Sequence, residues 1–452
     1  MPDLVTGPPR RIHVIGSGGA GMSGLAKLLA QMGHTVSGSD IKPGRSLDAL
    51  ADVGVATWVG HRPDAAAAVD LVVASSAVPA ADPEIGAARV AGVSVWDRPR
   101  LLRALTDEMP AVGLAGTHGK TTSTALAVTA LRASGFDPTF LVGGEMVGLN
   151  TGAHLGERSR FLLEADEAFG TFRHLTLHGL LVTNIEADHL DHYGSVAALE
   201  DAFSQVAGSV QGPVVGCIDD AGVRRLAQRS PIVSYGTSDD AEWRLADVEF
   251  GSWSVSGVVR GPGAELVMSL PKPGLHTLKN AAGVAVLLGR LGYDAAAAAA
   301  GFAGFAGVRR RSEVRARRNG ITIVDDYAHH PTEVAAMVAA ARHGNAARVW
   351  VVFQPHRYTR TADLAPQFGV PLAGADRVVV TDVYAAGERP IPGVTGRIVA
   401  QAVAAEGGDV SYVPRLHDVP AILGPELVAG DVVLLLGAGD IPAIADSLAD
   451  LI

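Results

Sequence analysis

The chain has 452 residues, 48% of them hydrophobic and 19% charged, with a formal net charge of −10 at pH 7. This length predicts two or three domains rather than a single core, and the composition excludes an intrinsically disordered chain. The acidic balance argues against a nucleic-acid partner, which would require a basic surface. Because Cys217 is the only cysteine, an intramolecular disulfide and a cysteine-ligated metal cluster are also excluded.

Neither a membrane span nor an export signal is visible in the sequence. No apolar run approaches the ~18 residues that a membrane-spanning helix needs. The first residues lack the apolar stretch that follows the basic start of a secretory signal. We therefore predict a cytoplasmic protein with no membrane contact, in which residues 1–10 form a flexible extension before the first strand.

The first block of elements runs to about residue 107. A strand at Arg11–Ile15 is followed by a glycine-rich loop and by a helix from Met22 to Gln31. Further strands are predicted at Thr35–Gly38 and Leu71–Ala74, the second leading into Ser75 and Ser76. Alternating strands and helices predict a parallel, doubly wound sheet.

The loop Gly16–Gly21 fits the pattern G-x-G-x-x-G, and Asp40 lies at the end of the next strand, where a dinucleotide-binding fold places its ribose-binding acid. NAD is one ligand that this pattern allows, another nucleotide diphosphate is a second, and a tight turn without a ligand is a third. The loop recognises phosphate rather than nicotinamide, so phosphate binding is the interpretation that we favour.

The second block opens at the apolar segment Ala111–Ala115, which precedes a second glycine loop and a helix from Ser123 to Ala133. Strand, glycine loop, Lys-Thr and helix together form a triphosphate site, in which backbone N–H groups surround the phosphates, the lysine reaches the terminal phosphates and the threonine ligates magnesium. The common P-loop pattern would need glycine at position 114, where this chain has Leu114. The loop residues are Gly116, Thr117, His118, Gly119, Lys120, Thr121 and Thr122.

Two further strands of this block, Phe161–Leu163 and Gly179–Thr183, end in acidic and histidine-rich segments. Glu164–Glu167 follows the first and Asn184–Tyr193 follows the second. Such side chains at strand ends beside a phosphate loop are suited to hold magnesium, although a solvent-exposed acidic strand end is the alternative. A strand at Val214–Cys217, an antiparallel region at Trp243–Ser269, and helices near His276 and at Asp294–Phe302 complete the block to about Val308.

The third block, from about Arg309, again alternates strands and helices, with strands predicted at Ile321–Val324, Val349–Phe353, Val378–Thr381 and Val432–Leu436. Asp325–Glu333 follows the first strand and Gln354–Arg360 the second. Arg357 and Arg360, three residues apart, could bind one carboxylate together, since the planar guanidinium suits bidentate capture. A solvated basic turn is the alternative.

Five segments, in this order and spacing, resemble the Mur ligase family over essentially the whole chain: Gly116–Thr122, Glu164–Glu167, Asn184–Tyr193, Asp325–Glu333 and His356–Arg360. The resemblance implies an α/β fold of three domains. They are a Rossmann-like UDP-sugar-binding domain at residues 1–107, a P-loop ATPase domain at 108–308 and a Rossmann-like amino-acid-binding domain at 309–452.

The resemblance also implies a reaction, ATP-dependent amide formation through an acyl phosphate in peptidoglycan precursor synthesis. The first block, with Gly18–Gly24 and Gly38–Asp40, resembles the branch that joins L-alanine to UDP-N-acetylmuramate. A recycling branch that attaches a tripeptide to the same UDP-sugar stays open as an alternative, and so does a non-catalytic dinucleotide-binding module. We expect a monomer or a homodimer.

The resemblance assigns residue roles as follows. The UDP-sugar would contact Gly18, Gly19, Ala20, Gly21, Met22, Ser39, Asp40, His61, Ser75 and Ser76. ATP would contact the loop Gly116–Thr122 together with His276, Asn280, Arg310 and Asp325. Mg²⁺, with Mn²⁺ as an alternative, would bind Thr121, Glu164 and His189. The amino acid would contact Tyr327, His329, Arg357 and Arg360, and the catalytic set would be Lys120, Glu164, His189 and His329.

Three features set this chain apart from parts of the family. Thr277 stands where an asparagine is usual, and Ala168-Phe169 replaces a Ser-Asp pair. No lysine occurs between Lys120 and Lys272, so the carbamylated lysine of several sister ligases has no counterpart here. This absence agrees with the alanine-adding branch.

Overall fold

The structure is a computed structural model and describes residues 3–452. The chain divides into two compact units. The first extends to Ala246 and also contains Val258–Val267 and Lys279–Gly304, whereas the second contains Asp247–Gly257, Met268–Leu278 and Phe305–Ile452. The N-terminal sheet lies in the first unit and the C-terminal sheet in the second, while the last strands of the central sheet contribute residues to both.

The N-terminal sheet is parallel throughout and has the order β3-β2-β1-β4-β5. Its strands are β1 (Arg11–Ile15), β2 (Thr35–Asp40), β3 (Ala56–Val59), β4 (Leu71–Ala74) and β5 (Ser94–Asp97). Its helices are α1 (Ala20–Gln31), α2 (Arg45–Ala51), α3 (Pro63–Ala67), α4 (Pro83–Val90) and α5 (Arg98–Glu108). The strand order reverses between β1 and β4, and in such sheets ligands bind outside the carboxyl ends of the strands at this point.

The central sheet has ten strands in the order β15-β14-β13-β12-β11-β10-β6-β9-β7-β8. They are β6 (Ala111–Ala115), β7 (Pro138–Met146), β8 (Thr151–His154), β9 (Glu157–Glu164), β10 (Leu177–Val182), β11 (Val214–Cys217), β12 (Val233–Gly236), β13 (Trp243–Phe250), β14 (Val255–Gly261) and β15 (Ala264–Leu270). The connections between β13, β14 and β15 are only four and two residues long, and parallel strands need longer crossovers. This geometry agrees with the predicted antiparallel region.

The helices of the central region are α6 (Lys120–Ala133), α7 (Leu190–Tyr193), α8 (Val196–Ser209), α9 (Ala221–Arg229), α10 (Leu275–Arg290) and α11 (Ala295–Gly301). Short 3-10 helices occupy Ala168–His174 and Phe302–Gly304. Asp294 caps α11 by accepting hydrogen bonds from the N–H groups of Ala296 and Ala297, which explains why the alanine-rich run begins a helix there.

The C-terminal sheet has the order β16-β17-β21-β18-β19-β20, and all its strand pairs are parallel except β16 with β17. Its strands are β16 (Glu313–Arg318), β17 (Ile321–Asp326), β18 (Arg348–Phe353), β19 (Arg377–Val380), β20 (Val410–Tyr412) and β21 (Asp431–Leu436). Its helices are α12 (Pro331–His343), α13 (Tyr358–Leu364), α14 (Gly369–Ala373), α15 (Gly396–Ala405), α16 (Val419–Leu423) and α17 (Ala445–Leu451). Short 3-10 helices occupy Pro366–Phe368, Leu416–Asp418, Gly424–Glu426 and Ile441–Ile444.

Both faces of the C-terminal sheet are covered, and β21 demonstrates this most clearly. Val432, Leu434 and Leu436 pack into one apolar core, whereas Val433 and Leu435 pack into the core on the opposite face. Side chains alternate between the two faces of a strand, so a run of consecutive aliphatic residues needs apolar cover on both sides. The predicted α/β class follows from such runs.

The predicted flexible extension at the N-terminus is wrong for the residues that the structure describes. Leu4 and Val5 are buried, with 1% and 4% of their surface exposed. Their N–H groups donate to the carboxylate of Glu108, at 3.0 and 2.8 Å. The segment is therefore held at the end of α5. None of the helices within residues 3–452 combines the length and apolar character that crossing a membrane would need.

Candidate active site

The loop Gly116–Thr122 lies between β6 and α6, and β6 is flanked by β10 and β9 in the sheet. Gly116 and Gly119 have φ of +128° and +87°, values that glycine adopts without strain. A Cβ at Gly116 would lie 2.1 Å from Thr183 Oγ1. The chain therefore turns too tightly for any side chain there, and this turn leads directly into the N–H groups at the start of α6, which have no acceptor within the helix.

Two residues at the end of β10 fix the loop, and sequence analysis assigned a role to neither. Thr183 Oγ1 donates to the carbonyl oxygen of His118 at 2.6 Å. The Asn184 side chain accepts from the N–H of His118 at 2.8 Å and donates to its carbonyl at 3.1 Å. The signal for Thr183 is its position at the end of a predicted strand, and Asn184 begins one of the five segments that resemble the family.

Lys120 is held by four acceptors. Its Nζ donates to the carbonyl oxygens of Gly116 and Thr117, at 2.8 and 3.3 Å, and to both carboxylate oxygens of Glu167, at 2.9 and 2.7 Å. Burial alone would lower the pKa of Lys120, but the carboxylates of Glu167 and Asp166 raise it above its ordinary value. The lysine is therefore a fixed positive charge beside the loop. Glu167, only 1% exposed, belongs to a predicted motif but was not singled out.

The residues predicted to hold a metal lie on both sides of β6. Glu164 ends β9, and its carboxylate accepts the N–H of Gly143 at 2.6 Å. Thr121 is in the first turn of α6 and 8% exposed. His189 follows β10 with φ of +53°, and its Nε2 lies 3.8 Å from an oxygen of Asp188.

Asn280, on α10, lies beside the loop. A Cβ at Gly119 would lie 2.9 Å from Asn280 Oδ1. The preceding residue, Lys279, forms an ion pair of 2.7 Å with Asp219. Asp219 also accepts the N–H groups of Thr237 and Ser238, both at 2.9 Å, so this ion pair anchors α10 to the ends of β11 and β12.

His276 and Thr277 lie in the first turn of α10. Burial lowers the pKa of His276 to about 4, although the carboxylate of Glu333 opposes the shift; the imidazole is therefore neutral at pH 7. Thr277 is buried, and its hydroxyl donates to the carbonyl oxygen of Pro273 at 2.9 Å. The threonine at the unusual position thus closes its own helix turn.

The glycine loop of the N-terminal sheet is ordered around Asp40. The carboxylate of Asp40 accepts the N–H of Gly18 at 2.9 Å and that of Lys42 at 3.1 Å. Ser75, which follows β4, borders the loop, because a Cβ at Gly16 would lie 2.9 Å from Ser75 Cβ. The structure thus brings the first loop, Asp40 and Ser75 together at the switch point of the sheet.

Ser39 and His61 border a buried acidic cluster that sequence analysis did not predict. Ser39 Oγ donates to Glu84 at 2.7 Å and is 1% exposed. Glu84 also accepts the N–H of Arg62 at 2.7 Å, and His13 Nε2 lies 3.3 Å from it. Burial would raise the pKa of Glu84, but the hydrogen bonds from His13 and Ser39 lower it below its ordinary value. His61 Nδ1 lies 3.4 Å from Asp82 at the edge of this cluster.

In the C-terminal sheet, Asp325 is fully buried and neither carboxylate oxygen has a hydrogen-bond partner among the described residues. Its nearest cations are Arg310 Nε at 3.7 Å and Arg315 Nη1 at 3.9 Å. Burial raises the pKa of Asp325 to about 6, with Arg310 opposing and Asp326 adding to the shift. Arg310 donates through Nη2 to the carbonyl oxygen of Gly437 at 2.6 Å. The guanidinium of Arg310 is therefore held at the end of β21.

The residues predicted to bind the amino acid gather at the carboxyl ends of β17 and β18. Tyr327 is contacted by two guanidinium groups, with Cζ of Arg310 and Arg311 5.0 and 4.9 Å from its ring centroid. His329 Nδ1 donates to the carbonyl oxygen of Tyr327 at 2.9 Å. Burial lowers the pKa of His329, although Glu333 opposes the shift. The remaining ring nitrogen, Nε2, is then a neutral acceptor.

Arg357 is the N-cap residue directly before α13 and has a positive φ of +70°. Its Nε donates to Glu388 Oε1 at 2.6 Å, and the same carboxylate accepts the N–H and the hydroxyl of Thr359, at 3.0 and 2.7 Å. Glu388 follows β19 and was not predicted. Its signal is weak because it lies 31 residues from Arg357 in the sequence.

Glycine loops at strand ends, a fixed lysine and a cluster of arginines in a separate sheet are typical of a multidomain enzyme that handles phosphates and a carboxylate. Three family models match the chain: "Mur ligase family, catalytic domain" at residues 11–109, "Mur ligase middle domain" at 114–288 and "Mur ligase, glutamate ligase domain" at 310–439.

Individual proteins agree with these matches. The UDP-N-acetylmuramate–L-alanine ligase of Kineococcus radiotolerans is 42% identical over 453 residues, which cover 98% of this chain and 96% of the relative. The crystal structure of the UDP-N-acetylmuramate-alanine ligase MurC from Thermotoga maritima matches with a TM-score of 0.84 and 29% identity over 98% of both chains. A murein peptide ligase from Psychrobacter arcticus shares the fold, with a TM-score of 0.70 at 23% identity over 98% of both chains.

The chain belongs to the Mur ligase family. The predicted family and the predicted three-domain α/β fold are thereby confirmed, as is the predicted class of enzyme, an ATP-dependent ligase.

Proposed function

We propose that the chain joins L-alanine to the lactyl carboxylate of UDP-N-acetylmuramate, with ATP as the co-substrate. The observation that carries the substrate assignment is the 40–42% identity, over almost the full chain, to ligases named for these two substrates. The proposed domains are residues 1–107 for the UDP-sugar, 108–308 for ATP and 309–452 for the amino acid, which the ranges of the three family models support. The cytoplasmic location and the monomeric or homodimeric state stay predictions.

The central loop supports phosphoryl transfer. A carboxylate is a poor electrophile, so one of its oxygens first attacks the γ-phosphorus of ATP, and ADP leaves. Two anions must approach each other for this step, and Lys120, already fixed beside the loop by Gly116, Thr117 and Glu167, would lie between them as a positive charge. The open N–H groups at the start of α6 would bind the phosphates.

We assign Mg²⁺ to Thr121, Glu164 and His189. A hydroxyl and a carboxylate are hard oxygen ligands that suit this ion, and an imidazole also allows Mn²⁺. The Glu164 carboxylate has one oxygen fixed by Gly143, which leaves the other for a metal. When bound, the ion would reduce the charge repulsion between triphosphate and carboxylate.

The UDP-sugar would bind at the N-terminal loop, with its diphosphate at the start of α1. A cavity of about 200 Å³ extends from Ala20 and Ser23 on α1, past Lys27, to Gly144 and Thr151 of β7 and β8. Gly144 is next to Gly143, whose N–H binds Glu164. The sugar would occupy this cavity, because the substrate must extend from the diphosphate loop to the phosphoryl-transfer site.

The alanine would bind in the third domain. Arg357 and Arg360 would bind its carboxylate and Tyr327 would border the site. His329 Nε2 would accept a proton from the ammonium group, since the imidazole is neutral. The free amine then attacks the acyl carbon, the C–N bond forms and the C–O bond to phosphate breaks. His276, Asn280, Arg310 and Asp325 are assigned to ATP.

The test is phosphate release with UDP-N-acetylmuramate, ATP and a panel of amino acids. We expect turnover that depends on L-alanine. Turnover with a tripeptide and none with alanine would instead identify the recycling branch. Thermal shift tests the non-catalytic alternative: stabilisation by NAD but not by the UDP-sugar would contradict the proposal through ligand linkage.

A further inference from the structure

Gln354, the residue that follows β18, is a buried polar side chain to which the proposed function gives no role. It is 5% exposed. Its Nε2 donates to Asp440 Oδ1 at 2.7 Å, and its Oε1 accepts the N–H of Ile441 at 3.2 Å. Both ends of the amide are therefore bonded to the loop that follows β21, residues 437–440, and to the residue after it. Burying an amide is costly unless such partners satisfy it, so this side chain belongs to the loop as much as to its own strand.

The 437–440 loop packs directly on Gln354 and on Tyr384. Gly437 has φ of +156°, and a Cβ there would lie 2.9 Å from the carbonyl oxygen of Gln354. A Cβ at Gly439 would collide with Gln354 Oε1 and would lie 2.6 Å from Tyr384 Cγ. Close-packed groups transmit a displacement to their neighbours. A change in the amide of Gln354 would therefore move the loop and the tyrosine together.

The 437–440 loop is joined to two arginines of the proposed mechanism. It follows β21, which lies between β17 and β18 in the sheet. Arg310 Nη2 donates to the carbonyl oxygen of Gly437 at 2.6 Å. The carbonyl oxygen of Tyr384, whose ring borders the loop, accepts the N–H of Arg357 at 2.9 Å. The loop thus supports one residue that is assigned to ATP and one that is assigned to the alanine carboxylate.

We propose that Gln354 is a positioning residue for the ligase reaction, which holds the 437–440 loop and, through it, Arg310 and Arg357. The inference rests on the proposed function, since the roles of the two arginines come from there. It adds a residue that has no assigned substrate contact. Because reacting groups must be held within a narrow range of distances, a displacement of about 1 Å at these arginines would lower turnover strongly.

The test compares Gln354→Glu with wild type in the full-length enzyme. The new carboxylate still accepts the N–H of Ile441, but it has no hydrogen to donate to Asp440, so one bond to the loop is lost. We expect kcat to fall about 10- to 100-fold and the KM for L-alanine to rise about 10-fold. The KM for UDP-N-acetylmuramate should not change, because its proposed site lies in the other unit.

A second substitution restores the hydrogen bond in the opposite direction. In Gln354→Glu combined with Asp440→Asn, the new amide donates to the new carboxylate. We expect kcat and the KM for L-alanine to return to within about threefold of wild type, as coupled neighbours do in a double-mutant cycle. Asp440→Asn alone keeps an acceptor for Gln354 and should resemble wild type. Gln367→Glu, the same change at an exposed position of the same unit, is the matched control.

The KM for L-alanine separates positioning from general stabilisation. A loss of turnover that urea unfolding explains by unfolded enzyme, with this KM unchanged, would overturn the role of Gln354, and so would a double variant no better than Gln354→Glu. If Gln354→Glu fails to fold, Gln354→Met, which keeps the length of the side chain without its polar atoms, takes its place with the same expected rise in KM. Wild-type enzyme without L-alanine-dependent turnover would contradict the proposed function instead, and the KM of the amine substrate that it does accept would then test Gln354.

Discussion

The ammonium group of Lys120 binds Glu167, yet its proposed task is to bind phosphate. Glu167 is 1% exposed, so its carboxylate is a buried charge that the lysine compensates. An exchange of partners follows from this arrangement: a triphosphate in the loop would compete with Glu167 for Nζ, while the carbonyl oxygens of Gly116 and Thr117 keep the amine in place. Stability and activity therefore depend on the same residue for different reasons.

Lys120→Met should separate these two roles. We expect turnover to fall by about 100-fold or more, because a charge opposite the transferring phosphoryl group is lost, while UDP-sugar binding is retained. Unfolding in urea should show a loss of about 3–5 kcal/mol from the unpaired carboxylate. The double variant Lys120→Met with Glu167→Gln should recover most of that stability without recovering turnover. Parallel recovery of both would contradict the assigned role of the lysine.

Glu388 is a positioning residue for Arg357 in the proposed alanine site. It binds the arginine Nε and both donors of Thr359. We expect Glu388→Ala to raise the KM for L-alanine about 10-fold, the cost of about one hydrogen bond to a charged group, with the KM for ATP unchanged. Glu388→Gln, which can still accept hydrogen bonds, should lose less. Asp363→Asn, an exposed position on α13, is the control, and equal effects on both KM values would argue against this role.

Asp325 makes stability depend on pH in a direction opposite to that of most carboxylates. Its pKa is raised to about 6 from an ordinary value of 3.8, first of all by burial. Between these two pH values the folded protein keeps a proton that the unfolded chain has released. The contribution of Asp325 to the free energy of unfolding therefore falls as the pH rises from about 4 to about 6.

Asp325→Asn removes the pH-dependent contribution of this side chain to the free energy of unfolding. Above pH 6 the variant should be more stable than wild type by up to about 3 kcal/mol, which corresponds to about two pKa units. Below pH 4 the difference should vanish. Urea unfolding at pH 4, 5 and 7 measures this trend, and an Asp325→Asn variant less stable than wild type at pH 7 would mean that the arginines beside the carboxylate outweigh its burial.

At the scale of elements, the contact between α1 and the β7–β8 hairpin explains a glycine that the phosphate loop does not need. Gly24 lies on α1, where a Cβ would be 2.5 Å from Leu141 Cδ1 and 3.3 Å from Ala153 Cβ. The helix that starts at the first glycine loop thus packs directly on the strand that carries Gly143, the partner of Glu164. This packing connects the helix that follows the first loop to the strand whose backbone binds the Glu164 carboxylate.

Gly24→Ala tests the contact. We expect a loss of about 1–3 kcal/mol from overpacking, and a smaller loss when Leu141→Ala has already created space. Gly86→Ala is the control, because Gly86 is also helical and no atom lies within 4 Å of its added Cβ; that variant should be neutral or slightly stabilising. Equal effects of Gly24→Ala with and without Leu141 would show that the two residues do not interact.

Many of the strands could be predicted, because aliphatic runs bounded by glycine and polar residues mark buried parallel strands. β4 and β11 have the predicted bounds, and the segments that follow predicted strands contain most residues of the candidate site. Partners far apart in the sequence could not be predicted. Leu4 and its partner Glu108 are 104 residues apart in the sequence, and Glu84 and His13 are 71 apart. Such pairs form only because of the way the elements pack, and no local sequence pattern indicates them.

At the scale of the whole molecule, the proposed roles divide between the two units. Lys120, Glu164 and the N-terminal loop belong to the first, whereas Tyr327, His329 and Arg357 belong to the second. The acyl phosphate and the amine must come within bonding distance, so residues of both units have to act on one reacting group. We therefore predict that bound substrates favour one arrangement of the two units over others in solution.

Small-angle scattering measures that change. We expect the radius of gyration to fall when UDP-N-acetylmuramate and a non-hydrolysable ATP analogue are present together, because ligands that contact more residues in a closed arrangement shift the population towards it. UDP alone, which lacks the sugar and the carboxylate, should give a smaller change. The Lys120→Met variant, which keeps its UDP-sugar site, serves as the control and should compact less with the nucleotide. An unchanged radius of gyration in an enzyme that turns over normally would show that no such closure is needed.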